Sequence, residues 1–175
     1  GIATKAKQFA DKARPYGVKI MDTRKTLPLL RYLEKYAVAA GGGFNHRMGL
    51  YDQVLIKDNH IKIKNEKLKI KNLIEDARKR NQKGTVIEVE VKDIEEFNDA
   101  LPAKPDIIML DNMSSRDVKA CVEIRRLSKI KPFLEASGGI NLDNVEEYAK
   151  TKVDMISVGS LTNSVQAIDM SLEIV

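Results

Sequence analysis

Residues 133–160 read FLEASGGINLDNVEEYAKTKVDMISVGS, and this stretch decides the architecture. Two short apolar runs, FLEA (133–136) and MISV (155–158), each lead into small residues and glycine, and LDNVEEYAK (142–150) between them has a helical period. Strands joined through one helix run parallel, because a hairpin cannot close a parallel pair, and the crossover is right-handed. Toward the N-terminus the same unit recurs. VKIM (18–21), VLIK (54–57), VIEVEV (86–91) and IIML (107–110) have strand length. LLRYLEKYAV (29–38), IEDARKR (74–80), DIEEFNDAL (93–101) and RDVKACVEIRRLSK (116–129) separate them with the spacing of helices that have one apolar side.

Charged residues stand at the ends of several different strands, and the last two strands run into glycine. A barrel gathers such ends in one mouth, and phosphate sites recur there after the final strands. The expected fold is therefore α/β, an incomplete TIM-like (β/α) barrel of about six parallel strands, fewer than a complete barrel needs. The start, GIATKAKQFADKARP, reads as the end of a helix with Ile2, Ala6, Phe9, Ala10 and Ala13 on one side and no N-cap signal before it.

The 175 residues are 43% hydrophobic, 31% charged and 5% aromatic, which fits one globular domain and excludes disorder, collagen and coiled coil. Cys121 has no second cysteine to pair with, so a buried thiol in a reducing compartment is expected. No apolar run is long enough for a membrane span and the start lacks a secretory pattern, so a cytoplasmic location and no membrane partner are expected. The net charge of +5 is uneven: residues 57–83 hold ten Lys or Arg against four acids, a local +6. Such a face draws nucleic acid or small anions. A nucleic-acid-binding module is thus the competing class, although the stretch lacks the interleaved aromatics of a single-strand binder.

Chemistry gathers at the strand ends. Asp22-Thr23-Arg24-Lys25-Thr26 follows the first strand with two adjacent cations. Gly41-Gly42-Gly43 precedes Phe44-Asn45-His46-Arg47, a loop that delivers an imidazole and a guanidinium, and Lys57-Asp58-Asn59-His60 ends the second strand. Glu88 and Glu90 share one face of the third strand because side chains alternate, and acids in a strand covered on both faces need partners. Asp111 closes the fourth strand. Glu90 and Asp111 form an acidic pair able to hold ribose hydroxyls or a magnesium shell. Ser137-Gly138-Gly139 and Gly159-Ser160 follow the last two strands, where glycine lets backbone amides approach phosphate and the next helix offers its positive end. The set suits a polyanion with a phosphate tail. No P-loop lysine motif, dinucleotide fingerprint or nucleophile signature accompanies it.

In this order, DTRKT (22–26), GGGFNHRMGL (41–50), LIKDNH (55–60), EVEV (88–91), MLDN (109–112), EASGGI (135–140) and VDMISVGSLTNS (153–164) closely resemble the quinolinate phosphoribosyltransferase family, from Gly1 to about Asp169. The resemblance implies transfer of phosphoribosyl from phosphoribosyl pyrophosphate to quinolinate, with decarboxylation, to give nicotinate mononucleotide, pyrophosphate and CO2 in NAD biosynthesis. It implies Mg2+ as cofactor. Arg24, His46, Arg47 and Lys57 would bind the two quinolinate carboxylates. Lys25, Glu90 and Asp111 would surround the phosphoribosyl pyrophosphate, with Glu90 and Asp111 taking the metal directly or through water. Ser137, Gly138, Gly139 and Gly159 would hold the 5′-phosphate. A nicotinate-specific relative, which handles a monoacid, needs fewer cations.

The family carries an N-terminal domain of about a hundred residues before such a sequence, so residues 1–175 correspond to its catalytic barrel domain. It works as a homodimer or higher homo-oligomer in which the partner covers the mouth and adds an arginine, so the chain alone is expected to be weakly active or inactive. Leu27 and Leu29 replace the family's usual Thr and Gly, which touches helix packing, and Asn163 replaces a frequent His.

Overall fold

The computed structural model describes residues 1–57, 59–60 and 70–174. Among the described residues six strands form one parallel sheet: β1 (Lys19–Met21), β2 (Val54–Ile56), β3 (Ile87–Val91), β4 (Ile107–Asp111), β5 (Phe133–Ser137) and β6 (Met155–Ser157). The order is β1-β6-β5-β4-β3-β2, which is a barrel's cyclic order opened between β1 and β2. Phe44 partly fills that gap through an isolated parallel bridge to Met21, with the Phe44 amide donating to the Ile20 carbonyl at 2.8 Å. The sheet is therefore barrel-like and, among the described residues, not closed. Every expected strand is present, with ends shifted by no more than one residue.

Helices α1 (Ile2–Ala13), α2 (Arg31–Ala40), α3 (Ile70–Arg80), α4 (Ile94–Ala100), α5 (Ser115–Leu127), α6 (Val145–Lys150) and α7 (Ser160–Asn163) follow the expected segments, α3 beginning at Ile70 rather than 74. Local signals set their limits. The Asp93 side chain accepts from the Glu96 amide at 2.8 Å to start α4, and the Ser114 hydroxyl accepts from the Asp117 amide at 3.2 Å to start α5. Ala6, Phe9, Ala10 and Ala13 are the buried face of α1, and Gly17 turns the chain out of its last coil at φ 75°.

The core consists of Ile87, Val89, Ile108, Leu110, Leu134, Ala136 and Ile156 from the sheet, covered by Phe97, Val118, Cys121 and Val145 from the helices. These outward strand residues pack under helices, so their alternate neighbours must face the barrel interior. Glu88, Glu90, Met109, Asp111, Glu135, Ser137 and Ser157 hold those interior positions in adjoining strands. Among the described residues no helix is long and apolar enough to cross a membrane.

Candidate active site

Two pockets adjoin at the carboxyl ends of the strands. One, of about 360 Å3, is lined by Arg24, Lys25, His46, Arg47, Lys57, Glu90, Asp111 and Ser137 over a floor that includes Met109, Glu135 and Ser157. The second, of about 400 Å3, is lined by Lys25, Lys57, Asp111, Ser137, Gly138, Gly139, Gly159 and Asn163. Lys25, Lys57, Asp111 and Ser137 belong to both. The eleven residues to which the resemblance gives a role thus meet at one mouth. A larger cavity of about 530 Å3 between α1 and residues 164–168 has Lys5 as its one charged side chain, so chemistry rather than size locates the site.

The cations of the first pocket come from two loops. Arg24 follows β1, and its Nε is buried without a hydrogen-bond partner. Arg47 donates to the Gln53 carbonyl at 3.0 Å, and burial followed by the charge of Arg24 lowers its pKa. Two guanidiniums that repel each other in a half-buried cleft favour an anion between them. Across the mouth, Lys57 pairs with Glu90 at 2.6 Å, with the lysine half exposed and the carboxylate largely covered. The acids of β3 therefore take separate partners, Glu90 at the rim and Glu88 inside.

Inside, His46 Nε2 lies 3.2 Å from Glu88 and 3.4 Å from Glu135, both fully buried, and Gln53 donates a second hydrogen bond to Glu88. Apart from this contact with His46, neither Glu135 oxygen has a hydrogen-bond partner among the described residues. Burial alone lowers the His46 pKa, but the hydrogen bonds and charges of Glu135 and Glu88 reverse this and hold it at about 10. Burial and the charge of Glu135 push Glu88 up to about 7 against the pull of His46 and Arg47. The Arg47 amide donates to His46 Nδ1 at 2.8 Å, a contact that only the neutral ring accepts. Of these opposed influences the two buried carboxylates decide, because unpaired charges in the interior cost more than one lost neutral hydrogen bond. The three ligand atoms lie within 4.8 Å of one another, a separation the shared imidazole proton accounts for.

The glycine-rich side of the mouth is shaped by backbone. Gly138 adopts φ 95°, and a Cβ there would stand 2.2 Å from Asn112 Oδ1 and 2.9 Å from the Asn112 amide nitrogen. Glycine is therefore required twice, for conformation and for space. The Asn112 amide donates to the Ser137 carbonyl at 2.7 Å, tying this loop to the end of β4. The Asn141–Asn144 turn separates Gly139 from the six-residue α6, whereas the four-residue α7 starts directly after Gly159.

Leu29 corrects an expectation about helix packing. It is fully exposed at φ 66°, so its departure from the family's glycine strains a turn before α2 and does not alter helix packing. His60 accepts from the Lys57 amide at 2.9 Å and closes a turn. Asp58 and residues 61–69, with four of the eight lysines of the basic stretch, lie outside the described residues. In its described part, Lys71, Arg78 and Arg80 pair with Glu75, Asp106 and Asp76. Sequence reading missed Glu135 in the floor of the pocket, and Asp22, Lys35 and Arg31 in the support beneath its loops.

The model of the family described as quinolinate phosphoribosyl transferase, C-terminal domain, matches residues 2–173. A probable nicotinate-nucleotide pyrophosphorylase (carboxylating) of Methanocaldococcus jannaschii is 46% identical over all of this chain and 62% of its own length. A nicotinate-nucleotide pyrophosphorylase (carboxylating) of Mycobacterium leprae is 41% identical over 99% of this chain and 60% of its length. The solved nicotinate-nucleotide pyrophosphorylase of Francisella tularensis superposes with TM-score 0.89 and 44% identity, covering 98% of this chain and 59% of that one. The chain spans about three fifths of the length of these relatives. With the motifs in register and their residues brought together at one barrel mouth, the chain belongs to the quinolinate phosphoribosyltransferase family, whose C-terminal domain it matches.

Proposed function

We propose that residues 1–175 are the catalytic barrel domain of an enzyme that transfers phosphoribosyl from phosphoribosyl pyrophosphate to quinolinate with decarboxylation. The products are nicotinate mononucleotide, pyrophosphate and CO2, in the de novo route to NAD. The observation that carries this reading is the pair of adjoining pockets, one ringed by cations and one by glycine amides, with Asp111 and Lys25 common to both.

Arg24, Arg47 and Lys57 grip the two carboxylates of quinolinate, and guanidinium is suited to a bidentate clamp. His46 adds positive charge from the interior side. Ser137, Gly138, Gly139 and Gly159 receive the 5′-phosphate, which sets the anomeric carbon at the seam. As pyrophosphate leaves, positive charge grows on the ribose, and Glu90 and Asp111 stabilise it from fixed positions while Lys25 faces the departing phosphates. The pyridine nitrogen closes the new bond, the bond from the ring to the carboxylate beside that nitrogen breaks to release CO2, and the electron pair left on the ring carbon, stabilised by the adjacent cationic nitrogen, takes up a proton from water.

The oxygen donors Glu90 and Asp111 fit magnesium, a hard cation, and both line the first pocket. When bound, Mg2+ supplies charge neutralisation for the pyrophosphate. The same reading assigns a further domain, and a homodimer or higher homo-oligomer in which the partner covers the mouth. Exposed Leu30, Tyr32, Leu33 and Tyr36, at the start and along the outer side of α2, support it. It assigns a cytoplasmic setting and no nucleic-acid partner, and it leaves the chain alone with weak quinolinate affinity and little turnover.

The test is an amide NMR titration of this chain with Mg2+ and phosphoribosyl pyrophosphate, followed by quinolinate against nicotinate. Saturable shifts at Ser137, Gly138 and Gly159, with quinolinate preferred, are expected. A well-dispersed spectrum that moves with none of these would overturn the assignment.

A further inference from the structure

Lys35 of α2 and Asp22 at the end of β1 form an ion pair that is 1% and 0% exposed. Replacing such a pair with apolar residues is often neutral or stabilising, so the pair itself is weak ground for stability. Its hydrogen bonds point elsewhere. Asp22 Oδ1 accepts from the His46 amide at 2.8 Å, and Lys35 Nζ donates to the His46 carbonyl at 2.8 Å. Asn45, with its amide nitrogen facing these acceptors, donates to Asp22 Oδ2 at 2.8 Å and to the Lys35 carbonyl at 2.9 Å. The pair therefore grips the peptide units on both sides of His46, while Asp22 itself leads directly into Thr23-Arg24-Lys25.

Arg31, one helical turn before Lys35 and on the same side of α2, makes the same kind of link. It donates to the Arg24 carbonyl at 3.3 Å, the Met48 carbonyl at 3.1 Å and Thr26 Oγ1 at 3.1 Å. Each of these two buried or half-buried cations of α2 thus touches both cation loops, one after β1 and one around residues 45–48. Nothing else described ties these loops together through side-chain charge.

We propose that Lys35, with Asp22 and seconded by Arg31, is a positioning residue that fixes the separation between Arg24-Lys25 and His46-Arg47, and that this separation makes the site prefer two adjacent carboxylates over one. The inference rests on the reading of Arg24, His46 and Arg47 as carboxylate ligands. Two vicinal carboxylates need cations at a set distance. A monoacid needs only one of the pairs, so a loosened bracket penalises the diacid selectively.

The test compares the parent chain with Lys35→Met and with Asp22→Asn/Lys35→Met, the double variant leaving no buried unpaired charge. Calorimetric titrations with Mg2+ and phosphoribosyl pyrophosphate present use quinolinate and nicotinate as probes. The ratio of their affinities should fall by about tenfold or more in the double variant, while binding of phosphoribosyl pyrophosphate stays within about twofold. A folded double variant that keeps the parental ratio overturns the proposal, because a purely structural pair predicts that result. Should Lys35→Met not fold, the double variant and Arg31→Gln carry the comparison. A parent that shows no preference for quinolinate removes the proposed function and with it the claim about specificity. In that case the bracket is read from the His46 amide, whose exchange protection must drop in the double variant if the loop is held as described.

Discussion

The two halves of the barrel mouth are built by opposite means. On the side of β1 and β2, position is enforced by buried charged side chains: Asp22 with Lys35, His46 with Glu88 and Glu135, and Arg31 across two loops. On the side of β5 and β6, it is enforced by glycine conformation and backbone hydrogen bonds, with Gly138 pressed against Asn112. The first construction is sensitive to protons and to charge deletion, and the second to added volume. Substitutions should separate the halves.

The largest effect is expected from Gly138→Ala. The new methyl meets Asn112 backbone in a conformation unfavourable to any L side chain, at a cost of about 3 kcal/mol or more. Affinity for phosphoribosyl pyrophosphate, measured by calorimetry, should drop accordingly, while the chemical shifts of His46 and Arg47 hold. If the His46 amide moves as much as Ser137 does, the halves are not independent. Arg47→Ala is the converse. Loss of one charged carboxylate ligand should weaken quinolinate binding by about 2 kcal/mol and leave phosphoribosyl pyrophosphate binding alone.

A third test uses protons. His46 is raised from 6.5 to about 10, so the folded chain holds a proton that the unfolded chain releases. The stability this provides is complete below about pH 6.5 and is lost as pH climbs through about 10. Urea midpoints should fall across that window, and His46→Gln should flatten the slope. An imidazole that titrates by NMR near its ordinary value would show instead that the neutral ring, accepting from the Arg47 amide, prevails. The smallest effect lies outside both halves: Leu29→Gly relieves a left-handed leucine and should raise stability by about 1 kcal/mol, read as a higher melting midpoint.

The sequence made the strands legible because parallel strands buried on both faces read as apolar runs, and it made the ligand-facing residues legible because they stand at strand ends. What stayed hidden was the support. Lys35 occupies a helix with charges on several sides, and nothing local says that its ammonium turns inward to Asp22 and His46. Glu135 in FLEAS reads like any half-exposed strand position until β4 and β6 close over it. Long-range pairing decides both, and spacing along the chain carries no trace of it. The loops after β5 and β6 were recognised, but the lengths of the helices beyond them were not, because those boundaries depend on turns such as Asn141–Asn144 whose side chains cap one another.

Cys121 sits on the inner face of α5 against the sheet, fully buried, and burial followed by the charge of Asp117 pushes its thiol up to about 12. Thiol reagents attack the thiolate, so in the folded chain this group is silent for two separate reasons, access and ionisation. It is also the chain's single cysteine. Alkylation at one residue therefore counts opening of the α5–sheet interface and nothing else, and every variant above carries its own internal clock for unfolding without any added label.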